Sequence, residues 1–238
     1  VRARFAAHGW RIAMAVPADD ADWNLPAYAA LADKLFLMAY DEHYQGGAAG
    51  PIASQRWFEA VVVRAARQVP ANKLAVAIAS YAYDWQAGGD TEALSVEEAW
   101  LTAGESGVIP KFDRASTNSS FAYAEGDRQH QVWIADAASA HNQIAMLRRA
   151  GLGAIGLWRL GTEDPSLWTF FGRNHRGPLP PPGVIGAIPA GTDVDIEGSG
   201  EILRIGGVPV AGQRTVTVDR AGMIDDERFD RLPSPWTV

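Results

Sequence analysis

The chain has 238 residues and a net charge of −7, with 47% hydrophobic and 21% charged residues, a composition typical of one globular domain with a small appendage. The negative charge argues against a nucleic-acid partner, which wants a basic surface. The absence of cysteine excludes disulfides, thiolate catalysis and cysteine-ligated zinc. The sequence contains no run of about 18 apolar residues, so no transmembrane helix is predicted. The chain begins at Val1 without a signal peptide, which favours a portion of a longer protein.

Two hydrophobic periodicities alternate through residues 1–172. Short apolar runs predict strands buried on both faces, as in parallel sheets, at 11–16, 34–39, 74–79 and 154–157. Helical spacing and caps predict helices at 24–31, 54–68, 95–105, 139–150 and 166–171. This β-α-β-α order predicts a parallel α/β fold with crossover helices, either doubly wound or a barrel.

Local signals refine this outline. Ser95 and Glu98 form the capping-box pattern that opens a helix, and Gly151 stops another. Asp164 is placed to cap the helix predicted at 166–171. Residues 86–131 form an insertion before the last strand, with a hairpin predicted around Gly126.

The last part of the chain changes character. A stiff proline-rich linker is predicted at 173–183, where the sequence reads GPLPPPG over 177–183. Beyond it, alternating stretches predict a small β-rich appendage at 184–238, with strands near 192–197, 201–205 and 215–218. The predicted division is therefore 1–172, 173–183 and 184–238.

Two sequence motifs match known functional patterns, but their surroundings in the chain do not suit those functions. The sequence GLGAIG at 151–156 fits the dinucleotide pattern G-x-G-x-x-G, but a helix precedes it and a strand follows, the reverse of what that site needs. Asp193, Asp195 and Glu197 share one strand face, which an exposed acidic surface explains. The five histidines lack the spacing that metal ligands show. Asp41 and His43 could touch a metal, but two residues are too few to define a metal site. No metal or cofactor is predicted.

The residues suited to binding or catalysis follow the ends of the predicted strands. Parallel barrels place the active site where strands end, and polar or aromatic residues stand there: Asp19, Tyr40, Asp41, Tyr81, Trp85, Trp158 and Glu163. Such a polar and aromatic rim is typical of a cleft that stacks a sugar ring and hydrogen-bonds its substituents. The alternative is that Trp85 and Trp158 only cap the barrel core.

Three of these stretches resemble a known family. "FLMAYDEH", "AIASYAYDW" and "GLGAIGLWRLGTEDPSLW" resemble the sixth, seventh and eighth strands of family 18 glycoside hydrolases, the chitinase-like (β/α)8 barrels. "RIAMAVPA" then stands where the fifth strand belongs. The resemblance covers residues 10–172 and is strongest to bacterial members that cleave spore cortex and peptidoglycan. It implies the C-terminal half of a TIM barrel, with an inserted hairpin region and a β-rich appendage.

The resemblance implies roles for individual residues. Family members cleave β-linked N-acetylhexosamine polymers with the acetamido group of the substrate as nucleophile. Tyr40 would orient that group, and Asp41 would bind sugar hydroxyls or support Tyr40. The remaining expected substrate contacts are Met38 beneath the site, Trp158 as its floor, and Tyr81, Trp85 and Glu163 around it.

One departure from the family pattern stands out. The general acid of the family lies in D-x-x-D-x-D-x-E on the fourth strand, and this chain contains no such motif; Ala190 stands where the first Asp would have to precede Asp193. Without a proton donor about 10²–10⁴-fold in rate is lost. The chain alone is therefore expected to be inactive.

The wider context stays open at this point. The final segment, 184–238, is similar to the connector that joins such barrels to a polysaccharide deacetylase, sometimes followed by a family 2 glycosyltransferase. The parent protein is then a hydrolase, a sugar-binding barrel without activity, or a spacer that positions the deacetylase. Its partners are expected to be an N-acetylglucosamine-containing glycan and covalently linked domains, in an extracytoplasmic location. The glycan and the oligomeric state stay open.

Overall fold

The computed structural model describes residues 2–164 and 167–168 in full, together with the backbone of five later strands. The helix predicted at 166–171 and the linker at 177–183 lie outside the described residues, apart from 167–168. Within the described residues, no helix combines the length and apolar character needed to cross a membrane.

A four-stranded parallel sheet forms the centre of the fold. Its strands are β1 (Ala13–Pro17), β2 (Lys34–Met38), β3 (Leu74–Ala79) and β9 (Ile155–Trp158), in the order β1-β2-β3-β9. All three pairings are parallel. The four predicted strands are confirmed within two residues at each end. The carboxyl ends of the strands meet at one edge of the sheet, where Tyr40 lies close to Tyr81 and Trp158.

Helices connect these strands and cover one face of the sheet. They are α2 (Leu25–Leu31), α3 (Gln55–Ala66) and α5 (Ala137–Arg149), whereas α1 (Arg2–Ala6) precedes β1 and buries no residue. Asn24 and Ser54 cap α2 and α3 with their side-chain oxygens. Helix α5 begins two residues earlier than predicted because Asp136 accepts hydrogen bonds from the amides of Ala138 and Ser139.

The two faces of the parallel sheet differ in burial. Leu35, Leu37, Val76 and Ile78 pack against α3 and α5 in the main core. On the opposite face Phe36 keeps 37% of its surface exposed, and Ala13 and Ala15 are exposed. The prediction that all four strands are buried on both faces is wrong: only β3 is buried throughout. Apolar runs cannot reveal that helices cover only one side.

A second, antiparallel sheet stands beside the first. It contains β4 (Ala82–Gln86), β5 (Thr91–Leu94), β6 (Lys111–Asp113), β7 (Asn118–Glu125) and β8 (Arg128–Ile134), in the order β5-β4-β8-β7-β6. Helix α4 (Val96–Glu105) packs against it and starts with the predicted capping box of Ser95 and Glu98.

The insertion differs from the prediction in its bounds. It starts at Ala82 and not at Gln86, because β4 leaves the parallel sheet directly after β3 and pairs with β5 and β8. The predicted hairpin is confirmed: Glu125 pairs with Arg128, and Gly126 between them has a φ of 59°, a conformation that suits glycine.

Five strands are described beyond residue 183: β10 (Val184–Ile188), β11 (Val194–Gly198), β12 (Glu201–Ile205), β13 (Gly212–Val218) and β14 (Ile224–Arg231). β10, β13 and β14 form an antiparallel sheet, and β11 pairs with β12. The three strands predicted here correspond to β11, β12 and β13. The division into domains stays a prediction.

Candidate functional site

Asp41 lies at the centre of the candidate site. It follows β2 by three residues and has a φ of 63°, a left-handed conformation that is uncommon for any residue except glycine. Its Oδ1 accepts hydrogen bonds from the hydroxyls of Tyr81 and Tyr83, the latter at 3.2 Å. Asp41 itself is exposed. The two phenols therefore fix a carboxylate that still faces solvent.

Tyr40 and Trp158 form an aromatic pair at the same sheet edge. Their rings are nearly parallel, with an angle of 13° between planes and 6.4 Å between centroids. Tyr81 meets Tyr40 edge to face at 6.3 Å. Trp158 remains 51% exposed and precedes a cis peptide bond to Arg159. This pair offers a flat apolar surface beside the Asp41 carboxylate.

Burial and charge act in the same direction on the three phenols. Burial, and then the charge of Asp41, raise the pKa of Tyr40 to about 12. The same causes raise the pKa of Tyr83 to about 12, and the pKa of Tyr81 is raised further because Tyr81 is more deeply buried. All three tyrosines are therefore protonated donors throughout the physiological range.

Glu42 and His43 do not join Asp41, although they follow it in sequence. The Glu42 carboxylate accepts a hydrogen bond from the Ser54 amide at 2.7 Å, next to the start of α3. The His43 Nδ1 lies 2.9 Å from the Pro51 carbonyl oxygen. Both side chains therefore support the loop between β2 and α3. Within the residues described, no group of three His, Asp or Glu side chains is arranged to hold a metal ion.

The other predicted contacts lie at different distances from this centre. Met38 is half-buried at the end of β2. Glu163 binds within its own loop, where it accepts from the Gly161 amide and from the Trp168 indole. Asp164 accepts a hydrogen bond from the Ala137 amide at the start of α5, and its predicted cap of the helix at 166–171 stays a prediction.

Trp85 lies further from Asp41 than Tyr83 does and contacts the Tyr83 ring. The rings of Tyr81 and Tyr83 meet at 5.2 Å, and those of Tyr83 and Trp85 at 5.4 Å. These three side chains form an aromatic row that leads away from Asp41 along β4. Sequence reasoning did not assign Tyr83 a role, although the alternation of Tyr81, Tyr83 and Trp85 indicates a shared strand face.

A second polar cluster occupies the opposite face of β4. The buried carboxylate of Asp84 accepts a hydrogen bond from the Tyr123 hydroxyl at 2.6 Å and lies 3.0 Å from the His130 Nδ1. The imidazole stacks on the Tyr123 ring at 4.5 Å. Sequence reasoning missed this cluster because its members come from three strands.

Comparison with known proteins shows the family of the chain. The profile of glycosyl hydrolases family 18 matches residues 1–163. A Bacillus subtilis (strain 168) protein, named as a candidate sporulation-specific glycosylase, is 30% identical over 173 residues, which is 67% of this chain. The cortical fragment-lytic enzyme of the same organism is 30% identical over 151 residues, or 60% of this chain.

A solved structure gives the same result. The chitinase from Chromobacterium violaceum superposes with a TM-score of 0.64 at 30% identity, over 69% of this chain and 55% of the chitinase. This chain spans 41% and 34% of the lengths of the two Bacillus relatives. The family profile covers well over half of the sequence, and so the chain belongs to the glycosyl hydrolases of family 18.

Proposed function

We propose that this chain is the C-terminal half of a (β/α)8 barrel and binds β-linked N-acetylhexosamine polymers at the edge formed by Tyr40, Asp41 and Trp158. The glycan is chitin, peptidoglycan or an exopolysaccharide. The parent protein hydrolyses it, with the acetamido group of the substrate as nucleophile and retention of configuration.

The arrangement of Trp158 carries this proposal. Its half-exposed indole stacks on Tyr40, next to a carboxylate that Tyr81 and Tyr83 hold in place. A pyranose has one apolar face and polar edges, so it fits a flat aromatic floor with hydrogen-bonding groups beside it. In this pose Tyr40 donates its hydroxyl to the acetamido oxygen, and Asp41 accepts from a sugar hydroxyl or supports Tyr40. Met38, Tyr81, Trp85 and Glu163 complete the surroundings.

The chain alone is proposed to bind without cleaving. Substrate assistance removes the need for a protein nucleophile, but the leaving oxygen still requires a proton. The sequence contains no D-x-x-D-x-D-x-E motif, and Asp41 is committed to two phenols. We therefore place the general acid in polypeptide outside these 238 residues.

The parallel sheet supports the half-barrel interpretation. β1 and β9 are its edge strands, and Phe36 and Ala15 are exposed on the face away from the helices. Open edges and an exposed apolar face invite non-specific pairing unless other elements cover them. Four further strands would pair with both edges and enclose that face.

A non-catalytic role is the second candidate. The missing acid motif favours a carbohydrate-binding barrel, or a spacer in a multidomain polysaccharide deacetylase or glycosyltransferase, if the rest of the protein lacks the acid as well. Residues 184–238 would then connect to the deacetylase. Either role places the protein outside the cytoplasmic membrane, where such glycans are found.

A turnover assay separates these roles. The full-length gene product and the 238-residue chain are incubated with chitin oligosaccharides and with peptidoglycan, and new reducing ends are measured. We expect turnover by the full-length protein, loss of that turnover in Asp41→Ala, and none by the chain alone. An inactive full-length protein that still binds glycan would favour the non-catalytic role. Activity of the chain alone would contradict the proposed position of the acid.

A further inference from the structure

The loop that follows Trp158, residues 159–163, is bound to Ser80, which is fully buried directly after β3. The Ser80 amide donates a hydrogen bond to the Trp158 carbonyl oxygen at 2.9 Å. The Thr162 hydroxyl donates to the Ser80 carbonyl oxygen, also at 2.9 Å, and the Asp164 amide donates to the Ser80 hydroxyl oxygen at 3.1 Å. Both backbone polar groups of Ser80 and its hydroxyl oxygen therefore bind the segment 158–164.

Thr162 connects this loop to two further places. Its hydroxyl also lies 3.2 Å from the carbonyl oxygen of Arg159, the residue after Trp158, and a hydroxyl has one hydrogen to share between its two acceptors. Its own carbonyl oxygen accepts a hydrogen bond from the Val96 amide at 2.9 Å, at the start of α4. Thr162 is half-buried, whereas residues 158–161 are exposed. Thr162 therefore ends the exposed part of the loop and anchors it to two elements.

The exposed position of Trp158 makes these backbone contacts important. The indole keeps 51% of its surface exposed and stacks on the ring of Tyr40 alone among the described aromatic contacts. A binding surface is precise only when packing and supporting hydrogen bonds hold its side chains to within about 0.5 Å. The Ser80 amide and the Thr162 hydroxyl bind consecutive carbonyl groups, those of Trp158 and Arg159. They therefore hold the backbone that carries the indole.

Ser80 also adjoins the other half of the candidate site. The next residue, Tyr81, donates its hydroxyl to the Asp41 carboxylate. The separation of the Trp158 indole from that carboxylate therefore depends on how the loop is fixed to Ser80. A pyranose that stacks on Trp158 and binds Asp41 needs both groups at a matching distance, because a misplacement of about 1 Å is enough to weaken such contacts.

We propose that Thr162 is a positioning residue, which fixes the Trp158 indole at the separation from Asp41 that a pyranose requires. This inference rests on the proposed function, because it assumes that a glycan occupies the edge at Trp158. Thr162 does not contact the glycan and acts through the backbone of Trp158. Loss of its hydroxyl therefore weakens glycan binding only while the indole is present.

Calorimetric titration of the 238-residue chain with an N-acetylglucosamine pentamer tests the proposal. Thr162→Val removes the hydroxyl and keeps the branched shape, and we expect about three- to tenfold weaker binding, the effect of losing roughly one hydrogen bond. Thr162→Ser keeps the hydroxyl and should bind nearly as tightly as the unmodified chain. Thr102→Val is the matched control, because Thr102 is also half-buried and its hydroxyl donates to the Glu98 carbonyl oxygen at 2.9 Å within α4. Its affinity should not change, and thermal unfolding verifies the fold of each variant.

A double-mutant cycle with Trp158→Ala shows whether Thr162 acts through the indole. The proposal predicts that Thr162→Val weakens binding in the unmodified chain and adds no further loss in Trp158→Ala. An equal loss in both backgrounds, or no loss in either, overturns the positioning role. The same holds if Thr162→Ser binds as weakly as Thr162→Val, or if Thr102→Val loses as much affinity.

The proposed function is judged separately from this cycle. Weaker pentamer binding in Trp158→Ala leaves that function intact whatever Thr162→Val does. Unchanged binding in Trp158→Ala, or no binding by the unmodified chain, overturns the proposed binding edge and the positioning role together.

Discussion

Tyr83 donates its hydroxyl hydrogen to Asp41 Oδ1 across 3.2 Å, and the same oxygen accepts from Tyr81. The second oxygen of Asp41, Oδ2, has no hydrogen bond to the described residues, and Asp41 is exposed. The two phenols thus fix the carboxylate and leave Oδ2 to a ligand.

Tyr83→Phe is expected to loosen Asp41. Loss of a hydrogen bond to a charged acceptor costs about 1.5–3 kcal/mol in a buried setting, and the exposure of Asp41 places the effect at the lower end. We expect a slightly lower free energy of unfolding in urea and severalfold weaker binding of an N-acetylglucosamine oligomer. Tyr28→Phe is the control, because the Tyr28 hydroxyl binds no described residue. Unchanged oligomer affinity in Tyr83→Phe would argue against a positioning role.

The alkaline stability of the fold should depend on Asp41. Tyr40 and Tyr83 have a pKa of about 12 in the folded chain, against about 10 when unfolded. Between pH 10 and pH 12 the folded state therefore binds more protons than the unfolded state. The stabilisation that the two raised pKa values provide is complete below pH 10 and is lost as the pH rises towards 12. Asp41→Asn removes the carboxylate charge and lowers both pKa values.

Urea unfolding between pH 9 and pH 11.5 measures this difference. We expect the free energy of unfolding to fall less steeply with pH in Asp41→Asn than in the unmodified chain. Ultraviolet titration of tyrosinate should show the matching decrease in pKa. Identical pH slopes would mean that Asp41 and the phenols are not coupled.

Trp158→Ala tests the aromatic floor. The half-exposed indole contributes little to the core, so the thermal midpoint should change only slightly. Oligomer affinity should fall about tenfold, equivalent to 1.4 kcal/mol. Trp10→Ala is the matched control, because Trp10 is 61% exposed and lies outside the site. Equal losses in both variants would point to a general effect of removing a tryptophan.

Asp84→Asn should destabilise the antiparallel sheet. Asp84 is buried and accepts from Tyr123 and interacts with His130. An amide carries no charge and replaces one acceptor oxygen by an NH2 donor, which leaves a donor facing the donors of this buried cluster, and disruption of a buried pair of this kind costs about 3 kcal/mol. Urea unfolding measures the loss, with the exposed Asp90→Asn as control. A change below about 0.5 kcal/mol, the usual limit for surface sites, would show that the cluster is not structural.

Much of the fold could be predicted because its signals are local. Apolar runs indicated the four parallel strands, and the capping box of Ser95 and Glu98 indicated where α4 begins. The residues at the strand ends indicated Tyr40, Asp41 and Trp158, since parallel strands bring their carboxyl ends to one edge.

The remaining features depend on contacts between distant segments. The run from Leu74 to Trp85 divides between two sheets, because β4 finds its partners in β5 and β8. No local pattern shows that Tyr83 reaches Asp41 or that Asp84 meets His130. Nor does a local pattern show that the Glu42 and Asp164 carboxylates bind backbone amides at the starts of α3 and α5.

A crystal structure of this chain with an N-acetylglucosamine trimer tests the central claim most directly. The account predicts a pyranose ring stacked on Trp158, its acetamido oxygen within hydrogen-bond distance of the Tyr40 hydroxyl, and a sugar hydroxyl on Asp41 Oδ2. A trimer bound elsewhere, with the edge at Trp158 and Asp41 empty, would contradict it.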